Sequence, residues 1–265
     1  MKVSDSQIIY ASQNSRSAAE AARMLGINYK TYRRRAEELG VFKTNQSLAG
    51  VSKPHARKHS INDDVFKVLD REGAYWLGFL AADGSVVDNK LKVVLKGEDK
   101  EHLVSMMRYM KSTYPVNDHT AYYTDVNGKH EFPACNVHIT SNEIVNTLKN
   151  YGIVQGKKYL DIDFLSYIPN EFKLDFIVGF FDGDGSVTTY TNKRQVCTLA
   201  CNRSLAVSIK FILNMFDIDI TVSERDTITV LSWTNEKSMY IFKQIYNDGS
   251  MVYPVLKRKL KQLKL

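Results

Sequence analysis

The sequence predicts an α+β protein in which a unit of order αββαββα is used twice, behind a small all-α helix-turn-helix. Three observations lead there. Helical and alternating hydrophobic spacings follow one another in the same order twice. An eleven-residue motif recurs 101 residues further on. The whole basic excess sits in the first quarter of the chain.

The chain has 265 residues, 36 of them Lys or Arg against 29 Asp or Glu, for a formal charge of +7. With 44% hydrophobic and 25% charged residues it belongs with globular proteins, and the composition excludes a disordered or fibrous chain. Its length suffices for one large domain or two modest ones, each with its own core. No apolar run approaches the roughly 18 residues that a membrane span requires. The start, Met1-Lys2-Val3-Ser4-Asp5, lacks the apolar stretch of a signal peptide, so a cytoplasmic location and no membrane partner are expected. Cys135, Cys197 and Cys201 cannot form a disulfide framework. Cys197 and Cys201 lack a second metal-binding pair, so buried or half-buried thiols are expected rather than zinc ligands.

Residues 1–62 carry 11 basic and 4 acidic side chains, whereas residues 63–265 carry 25 of each. A basic module that meets a polyanion is therefore attached to an electrically neutral body. In that module Ser17 and Glu20 have capping-box spacing, and Ala18, Ala21, Ala22 and Leu25 share one helical face. Gly26 stops this helix and Ile27 can fill the space before the next. Tyr32, Ala36 and Leu39 give the second helix its apolar face, with Gly40 at its end. Two short helices around a Gly-containing turn resemble the helix-turn-helix DNA readers, and the second carries Lys30, Arg33, Arg34 and Arg35. The module is assigned to residues 1–42. Residues 43–65 lose all hydrophobic period and read as a basic tether with Lys53, Arg57 and Lys58; His55 and His59 read as solvated tether residues.

The repeated motif is Trp76-Leu-Gly-Phe-Leu-Ala-Ala-Asp-Gly-Ser-Val86 and Ile177-Val-Gly-Phe-Phe-Asp-Gly-Asp-Gly-Ser-Val187. Each copy reads as a helix of about ten residues that ends at Asp-Gly. Interior glycines cost a helix roughly 1 kcal/mol each against Ala. Gly78, Gly179 and Gly183, with Ala81 and Ala82, are accounted for if the two helices touch at their backbones. That contact brings Asp83 and Asp184 together at two helix C-termini, where each is repelled by its neighbour and by the helix dipole. Such a pair calls for a hard divalent cation with oxygen ligands, Mg²⁺ by default.

The remaining elements complete one unit over residues 66–168 and a second over 169–265. After the first motif, Leu91, Val93 and Leu95 alternate with Lys90, Lys92 and Lys96, and Asp88-Asn89 lies near the turn. Helices are expected at 99–111 and 141–151, with strands near 114–125 and 131–139. After the second motif, strands over 186–200 turn at Asn192-Lys193. A helix at 204–216, strands at 218–223 and 226–233, and a helix at 235–246 follow.

With two motif copies in place, the body resembles the LAGLIDADG homing endonucleases over residues 71–265. The family's nine-residue motif falls on Trp76–Gly84 and Ile177–Gly185, and its metal-binding acid falls on Asp83 and Asp184. Ala81 departs from the motif where Asp182 keeps it, at a position that is not the family's catalytic acid. The resemblance implies that the two sheets form a saddle on double-stranded DNA, with Lys90, Lys92, Lys96, Tyr190 and Arg194 as outward candidates. It also implies two or three Mg²⁺ ions shared between two sites, with Asp83, Asp184, Gly84 and Gly185 at the metals. A basic residue stabilises the developing phosphate charge; Lys257 or Lys259 is the candidate after the second unit, and Lys157 or Lys158 after the first. The implied activity is metal-dependent double-strand cleavage at a long asymmetric target by a monomer. Its setting is a mobile intron or free-standing gene in a bacterial or phage-infected cell. Two other readings use the same scaffold: a DNA-binding regulator that does not cut, and a maturase for the host intron RNA.

Overall fold

Two hydrophobic patterns that never share a residue make two separate cores. The computed structural model describes residues 3–15, 17–42, 57–126, 128–153, 165, 167–192, 194–226, 228–247 and 252–263. It divides into compact units Met1–Lys58 and His59–Leu265. Among the described residues no helix is long and apolar enough to cross a membrane.

Among its described residues the first unit holds three helices: α1 (Asp5–Asn14), α2 (Ala18–Met24) and α3 (Tyr29–Glu38). Helix α1 was not expected, although Ser4 and Gln7 form a reciprocal capping box that announces it. Ser17 accepts the Glu20 amide at the start of α2, and Asn28 caps α3. Gly26 and Gly40 follow their helices at φ +63° and +67°, a conformation that L side chains resist. Ile8, Ala11, Ala18, Ala21, Ala22, Tyr32 and Ala36 form the core. Ala-rich faces let such short helices pack closely around one large ring, that of Tyr32.

The second unit contains, in order, α4 (Arg71–Asp83), β1 (Gly84–Val87), β2 (Lys90–Lys96), α5 (Lys100–Tyr109), β3 (Asn117–Asp125), β4 (Gly128–Thr140) and α6 (Asn142–Asn150). The order then repeats as α7 (Lys173–Asp184), β5 (Gly185–Thr189), β6 (Gln195–Cys201), α8 (Arg203–Met215), β7 (Thr221–Arg225), β8 (Ile228–Trp233) and α9 (Glu236–Tyr246). A short α10 (Lys257–Gln262) closes the chain's described part. Each repeat has one four-stranded antiparallel sheet, ordered β1-β2-β4-β3 and β5-β6-β8-β7. The mixed fold with two such sheets matches the expected α+β architecture.

Strand β2 alternates exposed and buried residues along its whole length, so Leu91, Val93 and Leu95 face the core while the lysines face away. The body begins earlier than its hydrophobic period indicates. Val65, Phe66 and Leu69 are buried in it, and the Asn62 amide donates to the Met110 carbonyl. Asp70 caps α4 through the Gly73 amide at 2.6 Å. The three cysteines are free and buried, within the expected range of buried or half-buried thiols.

Candidate active site

The site starts from two helices that touch at backbone distance. A Cβ placed on Gly78 would lie 2.0 Å from the Phe176 carbonyl oxygen, and one on Gly179 would lie 1.9 Å from that of Tyr75. No side chain fits there, so the glycines that weaken each helix alone allow the pair to form. Burial on every side removes the need for an amphipathic stripe: Ala74 to Ala82 and Phe176 to Asp182 are buried throughout. Both helices end on the motif acid. Gly84 and Gly185 then turn extended and open β1 and β5.

Asp83 and Asp184 are therefore brought together. A Cβ on Gly183, the residue before Asp184, would lie 3.4 Å from the Asp83 carboxylate. Asp83 is half-buried and Asp184 exposed. The donor set, two carboxylates at negative helix ends, is hard and oxygen-only. It fits Mg²⁺, which takes one or two carboxylates and completes its shell with water and substrate phosphate. No group of three or more His, Cys, Asp or Glu side chains is assembled for a metal among the described residues.

A third charge acts on both acids from the last helix. Lys259 on α10 is 3% exposed, and its ammonium lies 5.2 Å from the Phe181 ring centroid. Burial, and then neighbouring Arg258, push its pKa down, while Asp182, Asp83 and Asp184 pull it up. Of the two candidates on the last basic run, Lys259 is the buried one, and its pKa responds to both motif acids. Lys257 is exposed.

What carries Lys259 there was not foreseen. Asp182 is fully buried and accepts hydrogen bonds from Tyr75 Oη at 2.6 Å, from Tyr246 Oη, and from the Leu256 amide at 2.8 Å. Burial raises its pKa to about 6 against the opposing pull of those donors. Through Leu256 it anchors the residue at which α10 begins. The segment is held further by Arg258 Nε to Asp99 Oδ2 at 3.2 Å and by Gln195 Nε2 to the Gln262 carbonyl at 2.7 Å. Tyr253 stacks on Tyr75 at 4.2 Å and donates to Asp175, which also pairs with Arg71 at 3.1 Å. Only Asp182 had a signal in the sequence, as the motif acid that the first copy replaces with Ala81.

The other candidates lie elsewhere. Lys90, Lys92 and Lys96 are exposed on the open face of the first sheet. Tyr190 and Arg194 are exposed at the β5–β6 turn, where Arg194 Nη2 donates to Thr234 Oγ1 at 2.6 Å. In the first unit, Lys30 is exposed, Arg33 pairs with Glu37 at 2.9 Å and Arg34 with Glu38 at 3.8 Å. Arg35 differs from the other two arginines. It pairs with Asp5 and donates to the Val3 carbonyl, so it ties α3 to the start of α1 instead of presenting a free cation. Arg57 and Lys58 are exposed. Lys53, Lys157 and Lys158 lie outside the described residues.

Residues 171–247, within the second repeat, match the family model for a LAGLIDADG-like domain. The two-repeat fold is that of the solved structure of the homing endonuclease I-WcaI bound to its DNA recognition sequence. That similarity has a TM-score of 0.55 and 16% identity, over 78% of this chain and 94% of that one. Mesophilic variants of the homing endonuclease I-DmoI are similar at a TM-score of 0.47 and 14% identity, over 76% of this chain and 98% of that one. The N-terminal LAGLIDADG domain of DUF199/WhiA is similar at 0.43 and 17%, over 72% and 90%. No curated protein matches the chain by sequence.

Proposed function

We propose that this chain is a site-specific DNA endonuclease that hydrolyses one phosphodiester in each strand of a long asymmetric target. The observation that carries the reading is the approach of Asp83 and Asp184 from two repeats, with a buried lysine, Lys259, whose pKa both acids raise. A non-cleaving DNA-binding protein has no need to hold a lysine out of water next to two repelling carboxylates. A regulator that has shed its chemistry would be free to lose them.

Asp83 and Asp184, with the chain at Gly84 and Gly185, would hold two or three Mg²⁺ ions. Held by these residues, a divalent metal would supply Lewis-acid activation of water and offset the negative charge of the phosphate. Lys259 donates to the phosphate oxygen on which charge develops, and burial strengthens that interaction. Lys157 or Lys158 is the proposed counterpart for the first repeat. Two motifs in one chain supply both halves of the centre, so a monomer suffices. Lys30, Arg33 and Arg34 on α3, with Lys53, Arg57 and Lys58, add phosphate contacts beyond the saddle. Intron homing, or action from a free-standing gene in the cytoplasm of a bacterial or phage-infected cell, is the setting such a cut serves. Assistance to splicing of host intron RNA is the second activity the scaffold permits.

Two experiments test this. The protein is incubated with Mg²⁺ and DNA spanning the allele that lacks its coding insertion, beside Asp184→Asn. Specific double-strand cleavage by the wild type alone is expected, and binding without cleavage by both leaves the regulator. Removal of Met1–Lys58 is expected to weaken DNA binding and flatten its dependence on salt. Unchanged binding would reject the first unit as a DNA contact.

A further inference from the structure

The two sheets have one topology, so their residues can be compared position by position from the motif glycine. Gly84 pairs with Val93 and Gly185 with Leu199. Lys90 and Lys92 of β2 thus correspond to Val196 and Thr198 of β6. One strand further, Lys92 pairs with His138 and Thr198 with Ser232. Val94 pairs with Asn136 and Ala200 with Val230. All of these lie on the face turned away from the core, because their neighbours Leu91, Val93, Cys197 and Leu199 are fully buried.

At four equivalent positions the first sheet therefore presents Lys90, Lys92, His138 and Asn136, where the second presents Val196, Thr198, Ser232 and Val230. No ion pair among the described residues involves Lys90, Lys92 or Lys96. Burial, and then the charges of Lys92, Lys90 and His119, hold His138 below the usual histidine pKa, as expected where cations share one face. The central face of the second sheet carries no charged side chain at the matching places. The two faces are alike in shape and unlike in chemistry.

In the major groove a lysine donates to guanine O6 and N7, whereas Val, Ala and the Thr methyl contact the thymine C5-methyl. We infer that the DNA target is chemically polar: its half under the first sheet is guanine-rich, and its half under the second is A·T-rich. This rests on the DNA reading above and extends it to the sequence class of each half-site. The first sheet also makes the larger contribution to counterion release, since phosphate neutralisation needs cations.

The test selects bound duplexes from a randomised double-stranded library with the full chain and no added divalent metal, so that binding alone is read. Lys90→Val with Lys92→Thr is selected in parallel, and so is the reciprocal Val196→Lys with Thr198→Lys. The wild type is expected to return sites with one G·C-rich and one A·T-rich half. The first variant loses the guanine preference in one half only and weakens binding to the wild-type site on the order of tenfold or more. Its slope of log affinity against log salt becomes shallower by roughly 2. The reciprocal variant enriches guanine in the other half. Selected sites with equal composition in both halves, or guanine loss in neither, overturn the inference and leave the DNA reading standing. Failure to enrich any duplex overturns both.

Discussion

The two repeats follow one plan at the motif helices and different plans around them. At the contact itself they are interchangeable: Gly78 meets a carbonyl of α7 as Gly179 meets one of α4, and each helix ends on its acid. Two residues before those acids the likeness stops. Asp182 gathers two tyrosines and a backbone amide, whereas Ala81 is simply buried. Helix–helix contact constrains both partners equally because each supplies half of one interface. The polar cluster is under no such constraint, since one copy serves both repeats: Tyr75 comes from the first, Tyr246 and Leu256 from the second.

The sharpest way to break that comparison is at Lys259, the buried lysine of the second repeat. Lys259→Met should lower the cleavage rate by roughly 10²- to 10³-fold while DNA affinity holds, measured in single-turnover cleavage and in binding. Lys257→Met should leave the rate near wild type. Equal losses in the two would show that Lys259 acts only as part of a basic run.

Next come the shared glycines. Gly78→Ala and Gly179→Ala should each cost about 3 kcal/mol or more in urea unfolding, because a Cβ would meet backbone that cannot move independently. Similar losses would confirm that the interface is symmetric. A tolerated substitution at either glycine would contradict the close approach.

The smallest effect concerns His102, which the second repeat does not duplicate. It is buried against Tyr75, Trp76 and Phe79, its Nε2 lies 3.1 Å from Tyr75 Oη, and burial lowers its pKa to about 3. The unfolded state therefore binds a proton more readily than the folded state between about pH 6.5 and that value. The stability contributed by neutral His102 is present above pH 6.5 and is lost as pH falls. The loss amounts to roughly 2 kcal/mol between pH 7 and pH 5. His102→Gln should flatten this part of the stability–pH curve in thermal unfolding. An identical curve for the variant would place the titration elsewhere.

Much of this was legible in the residue order. Alternation in Lys90–Lys96 marked a half-buried strand, capping at Ser17 marked a helix start, and Gly78 and Gly179 marked a close approach. Helix α1 escaped because it buries only Ile8, Ala11 and Ser12, too few apolar positions to show a period. Strands β3 and β7 begin three residues later than their apolar content indicates. Both are edge strands exposed on nearly every residue, so burial imposes little pattern on them.

The basic first quarter, the neutral body and the pair of motif acids were thus determined by sequence alone, because charge counts and a repeated glycine spacing are local facts. Only the tertiary structure decided which of Lys257 and Lys259 is buried, that Arg35 is tied to α1, and that Asp182 is a junction. Those outcomes depend on partners 30 residues away for Arg35 with Asp5, and 107 and 74 away for Asp182 with Tyr75 and Leu256. Nothing in the spacing along the chain encodes which distant donors a buried carboxylate will meet. The +7 lies in the first quarter of the chain, and the packing of two uncharged helix faces brings the motif acids together.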